Sequence, residues 1–264
     1  MSDLIEYYNK FNEDKRLQSR HGKVEFNTTI NYILKYLKID AGTRLIDIGA
    51  GTGAYSVYLA KKGVNVTAVE LVKYNLGILK KKAKMELSDN DILSAYNMDA
   101  RSLKKFENES FDVTLLLGPM YHLHTMEDKL KALNEAKRVT KKGGYIFVAY
   151  VMADYALVRH GFMDHNILES VSKGALTDDY KIKSDPNELY DYIRLEDINK
   201  LNELVSLKRE LIISPDGPSD YIRHILNEMS EEEFLLFMDY QLKNAHRSEL
   251  IGAGSHTVDI LYKE

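Results

Sequence analysis

From Asp47 to Gly53 the chain reads Asp-Ile-Gly-Ala-Gly-Thr-Gly, a carboxylate followed by three glycines at alternate positions. Glycine lets a backbone turn through positive φ and come close to a ligand that any side chain would hold off. Gly49, Gly51 and Ala54 fit the G-x-G-x-x-G/A dinucleotide fingerprint, and Glu70 follows about 20 residues on, where that fold puts an acid on ribose hydroxyls. Asp47 argues against a dinucleotide. A carboxylate facing the turn repels a pyrophosphate and suits a ligand carrying an amino group or a cation. A second acid, Asp99, follows another apolar run and is placed to accept from an adenine amino group. Tyr121 and His122 leave a fourth run: an imidazole exchanges protons near neutral pH, and a phenol ring orients an acceptor or faces a cation. His122 and His124 form His-x-His with no carboxylate pattern beside them, so no metal site is expected.

These residues need elements to hold them. Strand-length apolar runs at 44–48, 65–69, 92–97, 111–117 and 145–151 alternate with helical patterns near 54–62, 71–87 and 125–139. Thr125 to Asp128 resembles a capping box with Asp in the acidic position. Such alternation predicts βαβ units and a mostly parallel sheet covered on both faces. Ile30, Ile33, Leu34 and Leu37 mark one face of a helix, and Leu4, Tyr8 and Phe11 make a weaker stripe before it. After Tyr150 the rhythm breaks. A helix at 195–204, a strand at 207–214, the turn Ser-Pro-Asp-Gly-Pro-Ser, a helical stretch at 221–244 and a strand at 257–262 complete the chain. A second capping box, Ser230 to Glu233, starts a new helix inside 221–244. The expected division is a helical lid segment at 1–40, a core at 41–151, an insertion at 152–190, and the rest of the sheet at 191–264 with a helical insertion at 218–250.

The bulk numbers exclude several classes. A net charge of −4 and a pI near 6.1 give no strongly basic face for nucleic acid. The absence of cysteine removes disulfides and thiolate metal sites. No apolar run reaches the roughly 20 residues that span a bilayer, and the first residues are mixed and charged, so a cytoplasmic location without membrane partners is expected.

Taken in order, the motifs resemble those of the class I S-adenosylmethionine-dependent methyltransferases. "DIGAGTG" looks like the family's glycine motif, Glu70 like its ribose acid, "MDA" (98–100) like its adenine motif and "FDVTLLLGPMYHL" like its fourth motif. "AKRVTKKGG" is similar to its Leu-Lys-Pro-Gly-Gly turn, with Thr140 and Lys142 in place of Leu and Pro. The resemblance covers about 40–150 well and the last strands in outline. It implies a Rossmann-like, doubly wound α/β fold: a mostly parallel seven-stranded sheet with helices on both faces, an antiparallel last strand and helical lid insertions. It also implies S-adenosyl-L-methionine as cofactor. On that resemblance Gly49, Ala50, Gly51 and Gly53 form the turn around the methionine part and Asp47 orients its amino group. Glu70 binds the ribose, Leu71 packs on the adenine, Asp99 accepts from its amino group, and Ala100 with Arg101 lines that end. Leu117 and Gly118 offer carbonyls to the amino group, and Tyr121 and His122 are the catalytic candidates.

The expected acceptor is a small molecule of unspecified chemistry. The aromatics Tyr7, Tyr8, Tyr150, Tyr155, Phe162, Tyr180, Tyr190 and Tyr192 are expected to form a lid over it or a small core beneath one, and Arg16 and Arg20 to face the ligands or solvent. Two alternatives stand beside this reading. A nucleic-acid base methyltransferase would carry Asn/Asp-Pro-Pro-Tyr where this chain has Gly118-Pro-Met-Tyr121; a non-catalytic cofactor-binding protein would look much the same.

Overall fold

The computed structural model describes residues 13–40 and 42–264. The N-terminal stripe of Leu4, Tyr8 and Phe11, with Tyr7, lies outside the described residues. Helices α1 (Glu13–Gln18) and α2 (Arg20–Tyr36) open the described chain, with Ser19 capping α2 by accepting from the Gly22 amide. Then come β1 (Arg44–Ile48), α3 (Ala54–Ala60), β2 (Asn65–Glu70), α4 (Lys73–Glu86), β3 (Leu93–Asn97), β4 (Phe111–Leu116), a 3-10 turn at Pro119–His122, α5 (Met126–Val139) and β5 (Thr140–Val151). The second half holds α6 (Ala153–Ala156), a π-helical turn at Leu157–Met163, α7 (Ile167–Ser172), α8 (Leu195–Val205), β6 (Lys208–Ile213), α9 (Arg223–Glu228), α10 (Glu231–Asn244) and β7 (His256–Tyr262).

The seven strands form one sheet in the order β3-β2-β1-β4-β5-β7-β6, with β7 antiparallel to both neighbours. This is the expected fold class. Strand alternation divides the core between two faces. Ile146, Val148 and Tyr150 of β5 join Leu133, Ala136 and Val139 of α5 on one face. Phe147 and Ala149 point the other way, toward Ile30 and Ile33 of α2 and Leu59 of α3. The C-terminal half of α2 is therefore part of the sheet's packing, and only its start lies over the site expected of a lid.

Two local expectations change. The Lys-Lys-Gly-Gly segment is not a free turn before the fifth strand. It is the irregular start of β5: Thr140 pairs with Phe111, the register then shifts, and Tyr145 pairs with Val113. Thr125 caps α5 by accepting from the Asp128 amide, but the Asp128 carboxylate turns to Arg101, so the box is only half made. The 152–190 insertion holds short helices and no strand; its isolated bridges are Leu176 to Ile182 and Met152 to Ile193 just beyond it. By contrast, the second capping box forms in full at Ser230 and Glu233 and starts α10.

Chain order reverses between β1 and β4, and at the carboxyl ends of those strands the connections leave in opposite directions. Open α/β sheets bind ligands at such a switch point.

Candidate active site

A cavity of about 1130 Å³ opens at this switch point. Asp47, Gly49, Ala50, Gly51, Glu70, Leu71, Asp99, Ala100, Arg101, Leu117, Gly118, Tyr121 and His122 all line it, so the sequence-expected site residues come together from the ends of four strands. Gly53 is the exception. At φ +84° it caps α3, and a Cβ there would stand 2.6 Å from Leu79 Cγ; its bareness serves helix packing, not the cavity wall.

The three glycines do different work. Gly49 at φ +78° lies against Pro119, whose Cδ would be 2.5 Å from an added Cβ. Gly51 at φ +54° has nothing within 4 Å of that position, so a side chain there would project into open cavity. The turn is tied to β2 by two amide bonds to the Val69 carbonyl, from Gly49 at 2.8 Å and Ala50 at 3.0 Å. Glu70 completes the tie: its carboxylate accepts from the Gly51 amide at 2.8 Å and the Val72 amide at 2.7 Å. Burial raises the Glu70 pKa, and these amide bonds oppose the rise.

Asp47 is buried, 2% exposed, with Ser56 Oγ donating to it at 2.6 Å. No cation meets it among the described residues. Burial pushes its carboxyl up to about 6; the Ser56 bond resists, and the nearby Glu70 charge adds to the rise. A buried carboxylate without a counter-ion, at the wall of an open cavity, fits a ligand bearing an ammonium group. After β3 Asp99 accepts from the Arg101 amide at 2.8 Å and from its guanidinium at 2.7–3.2 Å. Burial alone would raise the Asp99 pKa, but the Arg101 bonds and charge take it below the usual range. Arg101 also donates to Asp128 at 2.8 Å, fixing this corner to α5.

The Pro119–His122 turn lines the cavity beyond β4. The Tyr121 hydroxyl donates to the Leu117 carbonyl at 3.2 Å, and its ring lies edge-on to His122, Tyr190 and His256 at 4.8, 5.8 and 6.4 Å. His122 Nδ1 donates to the Leu189 carbonyl at 3.0 Å. Burial lowers the His122 pKa to about 4, with that carbonyl opposing and His124 adding to the fall. The imidazole is thus neutral at pH 7 but a weak base, not the proton acceptor poised near neutrality that its residue type suggests. A buried pair, Lys129 to Asp191 at 2.6 Å, holds the 190s segment to α5, and the Asp191 amide donates to the Tyr121 carbonyl.

The aromatic lid is smaller than expected. Tyr155, Tyr190 and Tyr192 line the cavity, but Tyr150 is buried in the sheet core, and Phe162 and Tyr180 are half exposed away from it. Arg16 lines the cavity and grips Glu25, at 2.5 and 3.2 Å. Arg20 instead ties α2 to α9 and α10, donating to the Leu226 and Met229 carbonyls and lying 4.8 Å over Phe234.

The far wall holds residues that no spacing revealed. His256, at the head of β7, donates from Nδ1 to Asp216 at 2.8 Å and stands 4.0 Å from Glu25. Asp220 accepts from the Tyr155 hydroxyl and from Arg223. His21 and Ser219 lie there too. The only trace in the sequence was Asp216 within a Pro- and Gly-rich turn; His256 is 40 residues from it and Glu25 lies near the other end of the chain. Among the described residues no cluster of His, Asp and Glu has the geometry to hold a metal ion. No described helix is long and apolar enough to cross a membrane.

Comparison with known proteins bears on the same segment. Residues 46–148 match the family described as "Methyltransferase domain". A demethylmenaquinone methyltransferase of Clavibacter sepedonicus is 33% identical over 46% of this chain and 47% of its own length. A ubiquinone biosynthesis O-methyltransferase of Hydrogenovibrio crunogenus is 27% identical over 61% and 63%. The chain thus spans about half the length of these curated relatives. The crystal structure of an S-adenosylmethionine-dependent methyltransferase from Methanosarcina mazei superposes with a TM-score of 0.58 at 16% identity, over 88% of this chain and 96% of that one; likeness at that identity speaks for the fold. With the glycine turn, the two acids and the strand order in place, residues 46–148 match the methyltransferase-domain family, and the fold is like that of the solved methyltransferase.

Proposed function

We propose that this protein transfers a methyl group from S-adenosylmethionine to a small-molecule acceptor. The observation that carries the reading is the continuity of one cavity, about 1130 Å³, from Glu70 and Asp99 past Tyr121 to the His256 wall. That volume exceeds the roughly 300–1,000 Å³ typical of a single ligand, leaving room for donor and acceptor side by side. The relatives named for demethylmenaquinone and for ubiquinone biosynthesis support a small-molecule acceptor.

The cofactor, when bound, supplies an electrophilic methyl on a sulfonium whose departure leaves a neutral thioether. The chain's part is to bind, orient and keep water away. Gly49 and Gly51 allow close backbone approach; Asp47 and the Leu117 and Gly118 carbonyls suit an ammonium group; Glu70 suits ribose hydroxyls; Asp99 with Arg101 suits an adenine edge. Tyr121, Tyr190 and Tyr192 offer flat walls on the acceptor side. In such a transfer, holding the reactants aligned supplies most of the acceleration. Calorimetric titration tests the reading: heat is expected with S-adenosylhomocysteine and none with NAD, and labelled methyl should pass to an extractable metabolite from a small-molecule panel. Heat with NAD but not with S-adenosylhomocysteine would overturn it, and label incorporated only into RNA or DNA would move it to a nucleic-acid acceptor.

A further inference from the structure

The far wall of the cavity is crowded with charge, and nearly all of it is already paired. Glu25 of α2 is gripped by both Arg16 nitrogens at 2.5 and 3.2 Å. Asp216, in the turn after β6, takes the His256 amide at 3.1 Å and Nδ1 at 2.8 Å. Asp220 is taken by Tyr155 and Arg223, with Arg159 at 3.9 Å. Among the described residues, Glu25, Asp216 and Asp220 thus each already have a partner.

His256 is different. Its Nδ1 is committed to Asp216, which fixes the ring, while its Nε2 has no hydrogen-bond partner among the described residues. The ring belongs to the cavity wall and lies 6.4 Å from that of Tyr121, on the turn leaving β4. From β7, beyond β5, it faces the acceptor side, away from Glu70 and Asp99 at the ends of β2 and β3. A second observation marks this wall as a polar-ligand surface. His21 Nε2 and Ser219 Oγ are buried there without a partner among the described residues. Buried polar atoms rarely stay unpaired unless a ligand or water satisfies them.

On the methyl-transfer reading above, we infer that His256, oriented by Asp216, is a specificity-determining oxyanion donor: its Nε2–H receives an acceptor bearing an acidic hydroxyl, a phenol or enol, bound as its conjugate base with the proton released to water. The charges that face His256 are consistent with it. Burial alone would lower its pKa, but Glu25 on α2 and Asp216 hold it up at about 9 against Arg16 on α1, which favours the protonated ring. The Tyr121 ring faces it from the β4 side. A cation fixed on the wall favours an anion and repels an ammonium group, so amine acceptors are disfavoured by the same feature. Asp216 is then a positioning residue: it acts through the ring that it holds.

The test uses 4-nitrophenol, whose absorbance reports its ionisation, added to the protein saturated with S-adenosylhomocysteine. Bound dye should ionise at least one pH unit lower than free dye in wild type, about a tenfold preference for the anion. His256→Gln should abolish that shift. Asp216→Asn keeps the ring but frees its orientation and should shrink the shift at least threefold. Retained affinity for S-adenosylhomocysteine shows that each variant is folded, and failure of wild type to bind that nucleoside would sink the methyl-transfer reading rather than this one. With the nucleoside bound, three outcomes overturn the inference: no dye binding, a dye shift that survives His256→Gln, or tighter binding of 4-nitrobenzylamine as its ammonium ion than of 4-nitrophenolate.

Discussion

Replacing Gly51 by alanine separates the ligand's demand on the glycine turn from the fold's. All three turn glycines sit at positive φ: +78° at Gly49, +54° at Gly51 and +84° at Gly53. For an L-residue that region costs about 1–2 kcal/mol. Gly53→Ala adds a clash, because its Cβ falls 2.6 Å from Cγ and 3.1 Å from Cδ1 of Leu79, which is fully buried and has nowhere to move. Overpacking of this kind adds about 1–3 kcal/mol. The expected loss for Gly53→Ala is therefore about 2–5 kcal/mol. Gly51→Ala meets nothing within 4 Å and should lose only the backbone part, about 1–2 kcal/mol. On the proposed reading its methyl group enters the cofactor's space, so affinity for S-adenosylhomocysteine should fall at least tenfold, about 1.4 kcal/mol. Urea unfolding gives the stabilities and calorimetric titration the affinities. A Gly51→Ala protein as destabilised as Gly53→Ala, or one binding the nucleoside with wild-type affinity, would refute the assignment of separate tasks.

The remaining predictions concern the far wall and the 190s segment. Lys129→Met strands the Asp191 carboxylate in a buried setting and should cost about 3–5 kcal/mol in urea unfolding; Asp191→Leu in the same chain should restore part of it. His122→Ala should slow turnover without altering cofactor affinity, and because burial holds His122 at about 4, the wild-type rate should show no inflection at the ordinary histidine value of 6.5. The pKa of His256 is raised, to about 9 from 6.5, so its stabilising contribution is complete below pH 6.5 and is lost as pH rises through 9. The stability difference between wild type and His256→Gln should therefore shrink by about 3 kcal/mol across that window. Glu25 behaves inversely. Burial favours a raised value, but Arg16 and His256 hold its pKa at about 2, so its contribution is present above 4.5 and disappears as pH falls toward 2. Stability of wild type relative to Glu25→Gln, followed by chemical denaturation from pH 5 to about 2, should drop accordingly.

The sheet and the convergence of the motif residues on one cavity were legible in the sequence because their signals are local. A strand buried on both faces is a run of apolar residues, a helix on the sheet repeats at three and four, and a turn against a ligand needs glycine where φ is positive. The apolar run at 44–48 is β1. Asp47, Gly49, Gly51, Glu70 and Asp99 stand at strand ends, and alternating βα order sends all those ends to one edge of the sheet. The acceptor end follows no such rule. Glu25, Asp216, Asp220 and His256 come from the start of α2, the turn after β6, the approach to α9 and the head of β7, and only the antiparallel return of β7 between β5 and β6 brings them together. Residue type was no guide there either: His122, the histidine beside the motif, is buried into a weak base, while His256, which belongs to no motif, is held charged by two carboxylates. Burial and neighbouring charge set what a titratable group does, and both are properties of the folded chain.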